Sequence, residues 1–403
     1  MATYLNGKLI SRRTLPAPPG STRPPGSRLP VGRTMQSTGA REPGEMSARR
    51  REELPCVHLG AETGERLDCQ GCGGAKDVPV RACAVHGECS GARRLVVRRD
   101  GRSHEYPCCL SCKDYRGVGP TRRVRVDEAL AGGGPMTRFN ASLHRWRGRL
   151  LLAYRTGWKG AQIHVAPLSE DLTPAGPEST LNLWHPRCGY GREDPRFFEH
   201  AGSLWVSFIG VRGRDQVADT HQMLARLDDD LTVADVTYPH YDARRGWEKN
   251  WAFFSHGGDL LAVYDVHPHT VLRVEGDRAL PAFRQDWPIR WAGGALRGGA
   301  SPVLVGDEYW CWAHGKIEPR YMYSLGVYTF DAKPPFRPRR VTPQPLYWAD
   351  RGTQPPGQYA PVVFPCGAVL DGDRWRVSCG IHDRWIEVLE FDHRQVEKAM
   401  VSV

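Results

Sequence analysis

The sequence predicts an all-β protein built around a five-bladed β-propeller, and three observations carry that prediction. A Gly-led turn opens a short strand five times, the turns recur at near-regular spacing, and each lies among further short strands. The five stretches begin at Gly148, Gly202, Gly258, Gly306 and Gly372 and run to Arg155, Phe208, Asp265, His314 and His382. Successive turn glycines stand 54, 56, 48 and 66 residues apart. Ahead of them lie first strands over 138–144, 194–198, 250–254, 299–305 and 361–370. Third strands follow over 162–166, 221–227, 270–274, 323–330 and 385–391. Apolar–polar alternation with β-branched and aromatic residues marks these as strands. An open sandwich of hairpins is the alternative, and the regular three-strand unit favours the propeller. The stretch 122–126 is expected to pair with the last blade and close the ring.

At 403 residues, with 40% hydrophobic residues and 13 Trp, the chain supports one large core plus appendages. It contains no run of eighteen apolar residues and so no expected transmembrane helix. Its first residues lack the charged-then-apolar order of a secretory signal, which predicts a cytoplasmic protein and no membrane partner. The net charge of +10 is unevenly spread: residues 1–50 carry nine Lys or Arg against two Glu, or +7. Residues 1–52 therefore read as a disordered Pro/Gly/Arg-rich tail, too poor in apolar surface to fold. Such a tail offers the one expected route to nucleic acid or another polyanion; a tethering role is the plainer alternative.

Residues 53–116 hold eight of the twelve cysteines: Cys56, Cys69, Cys72, Cys83, Cys89, Cys108, Cys109 and Cys112. The C-x-x-C pairs Cys69/Cys72 and Cys109/Cys112 let two thiolates reach one tetrahedral ion, so a structural zinc module is expected. An iron–sulfur cluster, disulfides and free thiols are the alternatives. The segment loosely resembles small cysteine-rich modules attached to bacterial glycosyltransferases.

Residues 117–403 form the repeat domain. Strands of a hairpin run antiparallel, so first-strand starts and second-strand ends meet at one mouth of the channel. That places Asn140 and Arg155 of blade one beside Glu193, Asp194 and Arg196 of blade two. Blade three adds Lys249, Asn250, Asp265, His267 and His269, blade four Arg297 and His314, and blade five His382 and Asp383. Polar strand ends are often solvated caps; their convergence favours a site. Trp247, Trp251, Trp291 and Tyr321 are expected to offer flat faces nearby. Carboxylates and cations together suit acid-assisted displacement at a glycosidic carbon, with Arg155, Lys249 and Arg297 suited to an anionic nucleophile such as phosphate. Glu193 and Asp194 are neighbours on a strand and are expected to point to opposite sides. Cys188, Cys311, Cys366 and Cys379 are scattered and read as small buried residues.

Several of these stretches resemble glycoside hydrolase family 130, the five-bladed glycosidases. They are Asn140–Leu143 with Tyr154-Arg155, Glu193-Asp194-Pro195-Arg196, Glu248-Lys249-Asn250-Trp251, Arg297-Gly298-Gly299, Trp312-Ala313-His314-Gly315, Phe364–Gly367 and His382-Asp383. The resemblance spans about residues 135–392 and implies an inverting enzyme acting on an oligosaccharide or glycoside with mannoside-like linkages. It cleaves either by phosphorolysis, with inorganic phosphate as co-substrate, or by hydrolysis. It further implies that Asp194 is the general acid, relaying its proton through a sugar hydroxyl, and that Lys249, Asn250 and His314 flank the phosphate. One departure stands out. The phosphorylases end the second strand of blade three in Arg-Pro, whereas this chain has Asp265-Val266-His267-Pro268-His269, which lacks that bidentate phosphate ligand. A non-catalytic glycan-binding or scaffold propeller is the alternative from another functional class.

Overall fold

The computed structural model describes residues 118–403 except 214–219, 288, 290, 292, 318–321, 351–352 and 356–360; ahead of these it gives only the backbone of seven short strands between Ala2 and Tyr106. Apart from the paired strands Ala2–Leu5 and Lys8–Arg12, where residues 1–52 were expected to be disordered, the tail lies outside the described residues, as do the side chains of the eight clustered cysteines and Tyr321. The chain divides into two units, Met1–Arg49 and Arg50–Val403. All the sheets considered below belong to the second.

The expected hairpins form because their turn glycines occupy the left-handed region: φ is 77° at Gly148, 72° at Gly202, 92° at Gly258, 62° at Gly306 and 60° at Gly372. Arg147, Ala201 and Gly257, one residue earlier, are left-handed as well, the two-residue turn whose twist matches that of antiparallel strands. The first sheet orders Arg138–Trp146, Arg149–Thr156, Gln162–Leu168 and Ser179–Thr180 side by side. Gly191–His200, Ser203–Val211, Thr220–Leu227 and Val233–Thr237 make the second. Ala252–His256, Asp259–Asp265, His269–Glu275 and Arg278–Gln285 make the third. The fifth joins Val363–Asp371, Arg374–Ile381 and Trp385–Asp392 to Arg122–Arg125.

The fourth repeat departs from this plan, so the expectation of five equivalent blades is corrected. Four repeats make four-stranded blades in a propeller-like, all-β arrangement; the repeat led by Gly306 enters a seven-stranded sheet. Its first strand is broken into Ala295–Arg297 and Val303–Val305, both paired with Glu308–Ile317. The break is a close approach: a Cβ on Gly298 would stand 2.1 Å from the Asn250 carbonyl oxygen, and one on Gly299 2.2 Å from that of Trp312. The long spacing to Gly372 holds Pro338–Val341 and Tyr347–Trp348, which pair with Met322–Asp331. Val401–Ser402 extends the edge.

First strands of neighbouring sheets pack on one another. The Leu143 amide donates to Ser378 Oγ at 2.8 Å, and the Phe197 amide to Ser142 Oγ at 2.9 Å. Aromatic rings fill the wedges between sheets, with Trp312 5.0 Å from Phe391 and Phe254 4.8 Å from Tyr309. As expected, Arg122–Arg125 completes the fifth sheet, and Arg123 forks onto both Glu387 oxygens at 3.0 Å. Cys188, Cys311, Cys366 and Cys379 are free and buried, as their scatter suggested. Among the described residues no helix is long and apolar enough to cross a membrane.

The seam between the first and fifth sheets gives a first prediction. A Cβ on Gly367 would lie 2.3 Å from the Leu143 amide nitrogen, a backbone atom that cannot swing aside. Gly367→Ala is therefore expected to cost about 1–3 kcal/mol, seen as a lowered Tm. Gly189→Ala, with φ −62° and nothing within 4 Å, serves as the silent control.

Candidate active site

Asn140, Asp194, Asn250 and Asp383 are all left-handed, with φ of 50°, 52°, 68° and 52°. Asn and Asp tolerate this region better than other residues with a Cβ, at a cost on the order of 1 kcal/mol each. The first two sit at breaks in strand register, opposite Ala153/Arg155 and between Glu193 and Arg196. At such a break the side-chain alternation of a strand fails. Glu193 and Asp194 consequently do not point to opposite sides, contrary to expectation: Arg155 bonds Glu193 Oε1 through Nη2 at 3.2 Å and Asp194 Oδ1 through Nη1 at 3.1 Å.

Around this fork the other groups assemble. Asn140 Nδ2 donates to Asp194 Oδ1 at 2.8 Å and to Asp383 Oδ1 at 3.3 Å. Lys249 Nζ reaches the second Glu193 oxygen at 3.4 Å. Arg196, fully buried, donates to Asn250 Oδ1 at 3.0 Å and lies 5.5 Å over the Phe364 ring. His314 packs between Tyr323 and Phe364, with centroids 5.3 and 4.8 Å away. Sheets one, two, three and five thus each give the cluster a polar side chain, and the fourth gives His314.

The charges sort the carboxyls. Burial opposes ionisation of Asp194, but Arg155, Lys249, the Asn140 amide and Arg196 outweigh it and hold its carboxyl below the usual range. Asp383 shares Asn140 but touches no guanidinium. Burial and the Asp194 charge push it up to about 6, against the pull of Arg155, Asn140 and Lys249. Burial, with Arg196 and Arg297 nearby, pushes His314 down to about 3, so its ring is neutral.

These opposite shifts have opposite linkage. Asp383, raised in the fold, favours the native state at low pH, and this is lost as pH rises towards 6. Asp194, lowered, contributes above its unfolded value, and this is lost as pH falls. Asp383→Asn is expected to remove about 2 kcal/mol of the stability lost between pH 4 and 7, measured by urea unfolding across that range. An unchanged pH slope in the variant would refute the assignment.

Three expected members are not gathered in. Asp265 is held by Arg245, and His267 Nε2 bonds the Trp287 carbonyl at 2.9 Å. Arg297 is exposed on its strand, opposite His314 in register, and reaches the cluster only through its charge on that ring. For His267 and Arg297 the reason lies in the strands: the second strand of sheet three ends before His267, and the first strand of sheet four is broken after Arg297. His269 and His382 are buried, His382 bonding the Asp350 carbonyl at 3.2 Å. Trp251 and Trp291 are core residues, whereas Trp247 is exposed. Among the described residues no group of three or more His, Cys, Asp or Glu is placed to hold a metal.

Two groups went unrecognised in the sequence. Glu248 is buried and accepts from Trp251 Nε1 at 2.6 Å and Tyr264 at 3.1 Å, bracing Lys249 and Asn250 from behind. Phe139 and Trp158 lie 4.6 and 5.7 Å from the Arg155 guanidinium carbon. The left-handed positions had a usable signal: Asn140, Asp194 and Asn250 recur at spacings of 54 and 56, a series of Asn and Asp, which accept that backbone more readily than other residues with a Cβ.

Comparison with known proteins identifies the family and the fold. The profile of glycoside hydrolase family 130, described as beta-1,4-mannooligosaccharide phosphorylase, matches residues 134–401. Among solved structures, a β-1,2-mannobiose phosphorylase from Listeria innocua in complex with β-1,2-mannobiose is 15% identical, with a TM-score of 0.53 over 68% of this chain and 96% of its own. A glycoside hydrolase assigned as putative from Parabacteroides distasonis is 15% identical, with a TM-score of 0.53 over 70% of this chain and 95% of its own. One from Bacteroides thetaiotaomicron, described as a putative glycosidase, is 16% identical, with a TM-score of 0.52 over 70% and 95%. No curated protein matches the sequence.

Proposed function

The chain belongs to glycoside hydrolase family 130 and is a glycoside-cleaving enzyme of the mannoside phosphorylase and hydrolase type; from that premise we propose that Asp194, Asp383 and Asn140 form its proton-handling centre. The carrying observation is that one Asn140 amide nitrogen serves both carboxyls while one guanidinium, Arg155, serves both Asp194 and Glu193. Two carboxyls so close titrate as a pair, and below about pH 6 they hold a single proton, resting on Asp383. As the bond from the anomeric carbon to the leaving oxygen breaks, that proton moves from Asp383 to the ionised Asp194 and on through a sugar hydroxyl to the leaving oxygen. Phosphate or water attacks from the opposite face, inverting the centre.

Charge balance supports phosphate as the nucleophile. Arg155, Arg196 and Lys249 stand against the carboxylates of Glu193 and Asp194, so below about pH 6, where Asp383 is neutral, one positive charge is left over. Lys249, the partly exposed cation of the three, is the group placed to receive an anion. Loss of the blade-three arginine weakens that grip, since His267 is engaged with a backbone carbonyl. The deciding experiment incubates manno-oligosaccharides of β-1,2 and β-1,4 linkage with and without phosphate. Sugar 1-phosphate formed only with phosphate establishes phosphorolysis; free mannose formed equally in both establishes hydrolysis. No product from either linkage overturns the proposal.

A further inference from the structure

Two exposed indoles bracket the carboxylate cluster. Trp158 is 45% exposed and Trp247 51%, although each packs against a cation of the site. The Arg155 guanidinium carbon lies 5.7 Å from the Trp158 ring centre and Lys249 Nζ 5.1 Å from that of Trp247. Those same cations hold opposite oxygens of one carboxylate, Arg155 on Glu193 Oε1 and Lys249 on Oε2. Trp158, Arg155, Glu193, Lys249 and Trp247 therefore form one continuous row across the mouth, with an aromatic face at each end.

A single exposed Trp is unremarkable on a protein surface. Two that terminate the same row of hydrogen-bonding charges are a different matter. A pyranose has an apolar C–H face that stacks on an indole and a rim of hydroxyls that bond carboxylates and cations. Trp184 is more exposed still, at 68%, but contacts no member of the row and is left out.

We propose that Trp158 and Trp247 are specificity-determining platforms that each seat a sugar unit beyond the bond being cleaved, making the enzyme selective for longer oligosaccharides. This rests on the glycoside-cleaving reading above and adds chain length to it. It places a β-mannoside of three or four units along the row, its central linkage at Glu193 and Asp194 and its outer rings on the indoles.

The test compares kcat/KM for a β-mannotetraose and the matching disaccharide in wild type, Trp158→Ala and Trp247→Ala. The wild-type ratio is expected to favour the tetramer at least tenfold, through KM. Each Ala variant should reduce that ratio about threefold or more, and Trp→Phe should restore most of it. Ratios unchanged in both Ala variants, or equal losses on both substrates, overturn the platforms while leaving the cleavage reading intact. If the wild type cleaves neither substrate, the cleavage reading fails by itself. Calorimetric binding of the same two sugars to the three proteins then decides the platforms, with equal affinities across the set counting against them. Matching Tm values show that the variants are folded.

Discussion

Asp194→Asn is expected to lower turnover of a β-mannoside about a thousandfold, within the span that a positioned acid or base contributes. Asn is the clean substitution here because it accepts the left-handed φ of 52°, whereas Ala would add backbone strain to the chemical loss. The variant also removes the negative charge that, with burial, lifts Asp383. Any residual activity should therefore lose its proton donor at lower pH than the wild type. The measurement is initial rate against pH for both proteins, with Tm as a check on folding. Retention of more than a tenth of the wild-type rate at every pH, in a folded variant, would remove Asp194 from the reaction.

Replacing Arg155 should damage stability as well as activity. Its side chain is 3% exposed and holds two carboxylates that are themselves buried. Arg155→Met leaves those charges with Lys249, Asn140 and the more distant Arg196, and breaking a buried pair in this way costs about 3–5 kcal/mol. The loss should be largest at neutral pH and shrink as pH falls, because Asp194 without its guanidinium is no longer held as far below the usual range and takes up a proton more readily. Arg155→Lys should recover only part, since one ammonium cannot fork onto two carboxylates. Urea unfolding at pH 7 and pH 4.5 reads both effects. A penalty that grows as pH falls would show the pair to be unimportant.

The skeleton of the fold was legible because its turns obey local rules. Gly148, Gly202, Gly258, Gly306 and Gly372 are left-handed, and the strand before them follows from alternation. Even the closing strand at Arg122–Arg125 was visible as an unpaired alternating stretch. Much of the mouth was legible too, since Asn140, Arg155, Glu193, Asp194, Lys249 and Asp383 all meet there. What escaped was everything that breaks alternation. The shared grip of Arg155 on adjacent carboxylates requires a left-handed residue inside a strand, and local pattern does not announce one. The fourth sheet escaped for a related reason: Gly298 and Gly299 serve a close approach between distant segments, which spacing alone cannot reveal. His267 and Arg297 were misplaced because the strands stop beside them, whereas Asp265 ends its strand as expected and is held by Arg245.

The strand at Arg122–Arg125 leaves the ribosome long before its partner, Trp385–Asp392, and Glu387 waits about as long for Arg123. During synthesis the first blade lacks the neighbour that supplies Ser378 to its Leu143 amide. Asn140 and Asp194 emerge well before Asp383, which follows Asp194 by 189 residues. The proposed proton-sharing pair cannot exist in a polypeptide that stops short of Asp383. Competence for the proposed chemistry therefore waits on synthesis of the fifth sheet.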